Sequence, residues 1–365
     1  MNLQDKIESM LNSKTNKDDK LYLFLSENNE TFLCDKLAGL IYGCAIGDCL
    51  GLQCEGKSLE DIKKIFKEGV HDMTKQDIRG ILAGDWSDDT DHLILNMEVL
   101  EETKFIFDMK LLAEKLYNWK KIGFYELGDQ AGMGIGQTLS YILSKPGYLN
   151  DPVEKSREAY VNLGGTNASN GAIMRCGILS FMKNWQHLAI SQTIITHVDL
   201  RCIYSVWLML YMCRLLLTGK YKNVDIDDLF VEADSFIIRK DHINEFYRYK
   251  KIYIGNLDNL LDNLELTESN AYSYTLKTLG CAIYSFRRIK EGNVNSANDY
   301  QKIQLDIVNR GGDADTNAAV SGQILGVHLG YDKLPKTWMY ELKHKSWLDK
   351  KIISFLKKLN CFIKN

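Results

Sequence analysis

Glycine recurs at every fourth position through one apolar segment of this 365-residue chain, at Gly39, Gly43, Gly47 and Gly51. A four-residue step puts all of them on one stripe of an α-helix. Each interior glycine costs a helix about 1 kcal/mol relative to alanine, so four together require a compensating contact. A second backbone at close range is that contact. A matching stripe lies late in the chain, where Ala318, Gly322, Gly326 and Gly330 repeat the step within DTNAAVSGQILGVHLG. Two such faces predict a tightly packed helix pair. In a bilayer this pattern joins membrane helices, but Asp48 and His328 accompany these stripes and point to a buried pair in a soluble fold.

The rest of the chain reads as helix. Only three prolines interrupt it, strand-like alternation is scarce, and apolar residues in SYTLKTLGCAIYSF recur at three- and four-residue intervals. Helical stretches are expected over 89–103, 109–120, 136–144, 172–183, 188–218 (broken near Asp199), 271–288 and 301–308. The pattern predicts one all-α domain over 35–345, preceded by an extension over 1–34 with a short helix around Ile7, Met10 and Leu11. The polar stretch 219–270 reads as a peripheral helical insertion. The basic amphipathic run 346–365 suits a terminal helix docked on the domain better than one lying on a membrane surface.

Composition removes several functional classes. A net charge of −3 gives no basic surplus for general nucleic-acid binding. Nine scattered cysteines without a CxxC pair suit free thiols in a reducing compartment. The first twenty residues lack the basic-then-apolar order of a secretory leader, and apolar runs are broken by Gly, Asp or Arg short of a membrane span. A cytoplasmic location with no transmembrane segment is expected.

Two acidic clusters could carry chemistry. Ser87-Asp88-Asp89-Thr90 precedes the apolar run HLILNMEVL, and Asp313-Ala314-Asp315-Thr316 follows Gly311-Gly312 and precedes the second small-residue helix. Alone, each is explained as a helix cap with carboxylates on the positive end of the dipole. Together, and with Asp91 counted, they hold five carboxylates and three hydroxyls, more than two caps need. Burying such charges without a cation costs several kcal/mol each. Hard oxygen ligands suit Mg²⁺ or Mn²⁺ rather than zinc, and two facing clusters suit a two-metal centre. Two glycine-rich turns, Gly132–Gly136 and Gly164–Gly171, each lead into a helix and offer backbone N–H groups to a phosphate.

In order, GCAIGDCLG (43–51), SDDT (87–90), GMGIGQT (132–138), SNGAIMR (169–175), TH (196–197), YTLKTLGCAIYSF (274–286), NRGGDADTNAA (309–319) and GYDKLPKTW (330–338) resemble the ADP-ribosylglycohydrolases. The resemblance implies an all-α fold with two Mg²⁺ or Mn²⁺ ions between Ser87, Asp88, Asp89 and Asp313, Asp315, Thr316. It further implies that Gly134, Ile135 and Gly136, with Ser169, Asn170, Gly171, Met174 and nearby His197, bind the ADP-ribose part of the substrate. Glu55, after GDCLGLQC, matches a glutamate of the branch that releases ADP-ribose from serine and degrades poly(ADP-ribose). Ser169 stands where the family more commonly has glycine, while Gly177 and Leu200 replace frequent prolines. No metal ligand is lost.

The expected chemistry is hydrolysis of the glycosidic bond at the distal ribose of an ADP-ribosylated protein or other ADP-ribose adduct. The proton-handling group is one of Asp88, Asp89, Asp315 and Glu55. Two readings compete with it: a non-catalytic ADP-ribose-binding or structural protein on the same scaffold, and a metal phosphohydrolase built on His71-Asp72.

Overall fold

The computed structural model describes residues 30–363 except 74, 75, 77, 79 and 238–241; the expected helix around Ile7, Met10 and Leu11 lies outside these. In chain order the helices are α1 (Glu30–Gly51), α2 (Leu59–Ile65), α3 (Asp88–Glu102), α4 (Met109–Ile122), α5 (Gln137–Leu143) and α6 (Pro152–Asn162). Next come α7 (Trp185–Ile194), α8 (Leu200–Leu217), α9 (Ile226–Ile237), α10 (Ile243–Ile254) and α11 (Leu260–Asn263). The last are α12 (Thr275–Lys290), α13 (Ala297–Val308), α14 (Ala314–Leu329), α15 (Lys336–Glu341) and α16 (Lys345–Ile363). Among the described residues no strand forms.

The two glycine stripes meet. Helices α1 and α14 run antiparallel, with Gly39 against Gly326, Gly43 against Gly322, Gly47 against Ala318 and Gly51 against Asp315. A β-carbon on any of the four α1 glycines would come within 2.4 Å of α14 backbone, so only glycine permits this approach. Around the seam α1 is apolar on every side: Leu37, Leu40, Ile41, Cys44, Ala45 and Ile46 are all buried. That is the signature of a core helix, and each buried Leu or Ile contributes roughly 1.5–3 kcal/mol. Helices α8, α12 and α13 pack around α14, and α3 crosses α1. The Tyr300 hydroxyl of α13 donates to the Gly43 carbonyl at 2.8 Å, locking a third helix onto the seam.

Helix α8 is long and apolar enough by composition to cross a membrane, contrary to the expectation that every apolar run falls short. In the structure it is almost wholly buried among α7, α9 and α12. The expected break near Asp199 is present, and the Asp199 carboxylate caps α8 by accepting from the Arg201 N–H.

One expected helix is absent. Residues 172–183 form turns and a short 3₁₀ segment at Gly177–Phe181. Buried side-chain amides explain the difference: Gln192 donates to the Ala172 carbonyl, Gln323 to Met174 and Asn96 to Arg175. These carbonyls bond to neighbouring helices, where an α-helix would have used its own backbone.

Within 219–270, α9 packs on α8, and α10 and α11 pack on α12. Helix α16 lies against α3 through buried Leu348, Ile352, Phe355 and Leu359. Its lysines Lys351 and Lys358 pair with Glu98 and Glu101 of α3.

Candidate active site

The start of α3 is capped from outside. Ser87 occupies the N-cap but makes no side-chain cap to its own helix. Asp48, projecting from α1, caps it instead. Its carboxylate accepts from the Ser87 N–H and hydroxyl at 3.0 and 2.7 Å, and from the Thr90 N–H and hydroxyl at 3.0 and 2.7 Å. Sequence reasoning missed Asp48, because a lone acid in an apolar helix shows its role only once α1 and α3 cross.

The start of α14 is held differently. Gly311 and Gly312 both take φ of +68°, and a β-carbon on Gly312 would lie 2.0 Å from the Leu266 carbonyl. Gly312 also pairs its backbone with the loop after α1: Gly56 N–H donates to Gly312, and Gly312 N–H donates to Lys57. This pairing delivers Glu55 to the second cluster.

The two helix starts and the Glu55 loop converge. Carboxylate oxygens of Asp48, Asp89 and Asp315 lie within 4.8 Å of one another, as do those of Glu55, Asp313 and Asp315. The Thr316 hydroxyl lies 3.2 Å from Asp89 Oδ2 and 3.3 Å from Asp313 Oδ1. Asn170 Nδ2 bridges Asp313 and Thr278, both at 2.9 Å. Burial first, and then the neighbouring carboxylates, push Asp88, Asp89 and Asp315 well above the usual range. Burial also raises Asp48, opposed by its four hydrogen bonds.

The donor set fits divalent cations of the magnesium class. It consists of hard oxygens, and the buried Asp89 Oδ1 has no hydrogen-bond partner among the described residues. A buried, partnerless carboxylate oxygen is costly, and a cation satisfies it.

The cluster lies at one side of a cleft of about 820 Å³. Glu55, Asp88, Asp313, Asp315 and Thr316 face the cleft, while Asp89 does not line it. One wall is the turn with Gly134, Ile135 and Gly136, where a β-carbon on Gly134 would sit 2.8 Å from Asp88 Oδ1. Another carries Ser169, Asn170, Gly171, Met174 and His197. The Ser169 hydroxyl is 2.9 Å from His197 Nε2. Thr138 and Asn167 join the two walls at 3.2 Å.

A third wall, residues 269–274, was not anticipated. Tyr274 anchors it, bonding its hydroxyl to Glu245 at 2.6 Å. Lys277, buried on α12, also donates to the Glu265 carbonyl and to Glu268 at the start of this loop. No sequence motif marks the wall.

Asp91 does not belong to the cluster in which it was counted. Its two oxygens accept from the indole N–H groups of Trp86 and Trp119, each at 2.8 Å. His71 and Asp72 are exposed and do not line the cleft.

The ADP-ribosylglycohydrolase family model matches residues 29–360. The chain belongs to the ADP-ribosylglycohydrolase family. Among curated relatives, it is 25% identical over 318 residues to the ADP-ribosylarginine hydrolase Tri1 of Serratia proteamaculans, covering 84% of this chain and 75% of that protein. It is 22% identical over 328 residues to the human ADP-ribosylhydrolase ARH3, covering 83% and 88% of the two chains. A solved structure described as an ADP-ribosylglycohydrolase-related protein complex shares the fold, with a TM-score of 0.61 at 23% identity over 89% of this chain and 98% of that one. Membership agrees with the all-helical architecture and with the order of the glycohydrolase motifs along the chain.

Proposed function

We propose that this protein is a divalent-metal-dependent hydrolase that cleaves the glycosidic bond at the distal ribose of ADP-ribose adducts. Family membership supports the reaction class. The observation that carries the mechanism is the meeting of Asp48, Asp89, Asp313, Asp315 and Glu55 beside one cleft. Ser87, Asp88, Asp89, Asp313, Asp315 and Thr316 would hold two Mg²⁺ or Mn²⁺ ions, with Asp48 setting the position of Ser87 and Thr90. When bound, such ions supply positive charge for ribose oxygens and for a polarised water.

The chain's own groups divide the remaining work. Glu55 is the half-buried carboxylate that both faces the cleft and belongs to the acidic group, so it takes or gives the proton as water attacks the anomeric carbon. Asp89 does not line the cleft, which favours Glu55 over it for that role. The 132–136 and 164–171 turns hold the ADP-ribose moiety through backbone N–H groups.

Peptides carrying ADP-ribose on arginine or on serine, with poly(ADP-ribose) alongside, test the reading when incubated with Mg²⁺ or Mn²⁺. Release of ADP-ribose from at least one supports it. Binding of ADP-ribose with no release from any of them would count against hydrolysis of these linkages and favour the non-catalytic alternative.

A further inference from the structure

Arg175 is fully buried, yet among the described residues none of its hydrogen-bond partners is a carboxylate. Its Nε donates to Gln192 Oε1 at 2.9 Å, and its Nη2 donates to the Gln192 carbonyl at 2.7 Å and to Thr196 Oγ1 at 2.8 Å. Burial pushes the guanidinium down to about 10, so it remains charged at neutral pH. Beyond Arg175 the chain of contacts continues towards the cleft. Thr196 Oγ1 lies 2.8 Å from His197 Nδ1, and His197 Nε2 lies 2.9 Å from the Ser169 hydroxyl.

A guanidinium has donors only, so Thr196 Oγ1 must accept from it. The Thr196 proton then has two destinations, His197 Nδ1 at 2.8 Å or the Thr193 carbonyl at 3.4 Å. The shorter contact is the better hydrogen bond. With Nδ1 accepting, a neutral His197 carries its proton on Nε2 and donates it to Ser169. The Ser169 hydroxyl, already accepting, has its own proton free for the cleft. Burial and the adjacent Arg175 charge keep His197 neutral, pushing it down to about 3. Asp199 opposes this, but its carboxylate is engaged by Arg201 at 2.7 Å.

We propose that Arg175 is a positioning residue that fixes the direction of the Thr196–His197–Ser169 hydrogen-bond chain, so that Ser169 meets a bound ligand as a donor to an oxygen acceptor. Arg175 acts at a distance: it does not line the cleft, whereas Ser169 and His197 do. The ligand half of this inference rests on the ADP-ribose reading. The tautomer half does not.

The test uses nitrogen-15 NMR of the histidine rings in the full chain without ligand, together with calorimetry using ADP-ribose. The unsubstituted protein should show His197 neutral with its proton on Nε2. Thr196→Val keeps the side-chain shape and removes the hydroxyl, so it should release that tautomer and weaken ADP-ribose binding about tenfold. Thr196→Ser should restore both, and Ser169→Ala should match the affinity loss while leaving the tautomer unchanged. Arg175→Met should also release the tautomer if it folds; the threonine pair carries the test if it does not. An Nδ1-protonated or cationic His197 in the parent protein overturns the proposal, and so does a Thr196→Val variant with unchanged tautomer. If the tautomer behaves as expected but no variant changes ADP-ribose affinity, the ligand half is overturned. If the parent protein does not bind ADP-ribose at all, the functional reading fails and the tautomer result stands apart.

Discussion

A methyl group placed on Gly43 would lie 2.1 Å from the Gly322 carbonyl oxygen, and one placed on Gly322 would lie 2.0 Å from the Gly43 carbonyl oxygen. The relationship is reciprocal, so neither helix can yield without displacing the other. Gly43→Ala or Gly322→Ala should therefore destabilise by up to about 2 kcal/mol, since overpacking costs about 1–3 kcal/mol and alanine's helix preference returns about 1. Gly136→Ala is the control. Its β-carbon would meet nothing within 4 Å, so urea unfolding should find it within about 0.5 kcal/mol of the parent.

The acidic cluster should answer to cations. Chelation should abolish hydrolysis, and Mg²⁺ or Mn²⁺ should restore it and raise the Tm, because a ligand that binds only the folded state stabilises it. Asp315→Asn should lose most activity and blunt the rise in Tm, while the exposed Asp332→Asn should behave like the parent. Full hydrolysis in chelator would refute metal dependence.

Protons should compete with those cations. A carboxyl whose pKa is raised in the fold binds a proton where the unfolded chain does not, so it adds stability as pH falls through the folded value and loses it as pH rises. Asp88, Asp89 and Asp315 are all raised. Metal binding must displace these protons. The metal-induced rise in Tm should then be larger at pH 8 than at pH 5.5. Comparing Tm with and without metal at each pH cancels the titration of buried histidines outside the cluster. An equal rise at both pH values would count against coordination by these carboxylates.

Glu55→Gln preserves size and removes the titrating group. Turnover should fall by about 10²–10⁴, the usual worth of a positioned acid or base, with ADP-ribose affinity unchanged. Single-turnover kinetics beside calorimetry separates the two effects, and unchanged turnover would return Glu55 to a loop carboxylate.

Asp48→Asn should cost about 2–4 kcal/mol, because the new amide turns an N–H group towards donors of Ser87 and Thr90 and leaves buried groups unpaired. It should also weaken metal-induced stabilisation, although Asp48 is absent from the sequence-derived ligand set. Thermal unfolding with and without Mn²⁺ reads both effects.

The seam was legible because its period is short and its residue type rare. The two clusters were legible for a similar reason: each is contiguous and opens a helix. Asp48 was missed and Asp91 miscounted because a deciding partner of each is remote in sequence. Asp48 needed the α1–α3 crossing, and Asp91 needed Trp119, 28 residues away, to turn its carboxylate from the centre. The helix expected over 172–183 failed in the same way, since Gln192, Gln323 and Asn96 arrive from three other helices. The wall at 269–274 has no pattern of its own and exists through the grip of Tyr274 and Lys277.

A contact made of backbone against backbone has no rotamers with which to absorb error. Asp48 and Asp315 project from opposite sides of the α1–α14 seam, one residue after Gly47 and opposite Gly51. The gap across which they face each other is thus gauged by main-chain covalent geometry, much as a machined spacer sets a jaw. A change at Gly39 or Gly326, at the far end of the seam, would therefore be felt in the spacing of Asp48 and Asp315 with neither acid altered.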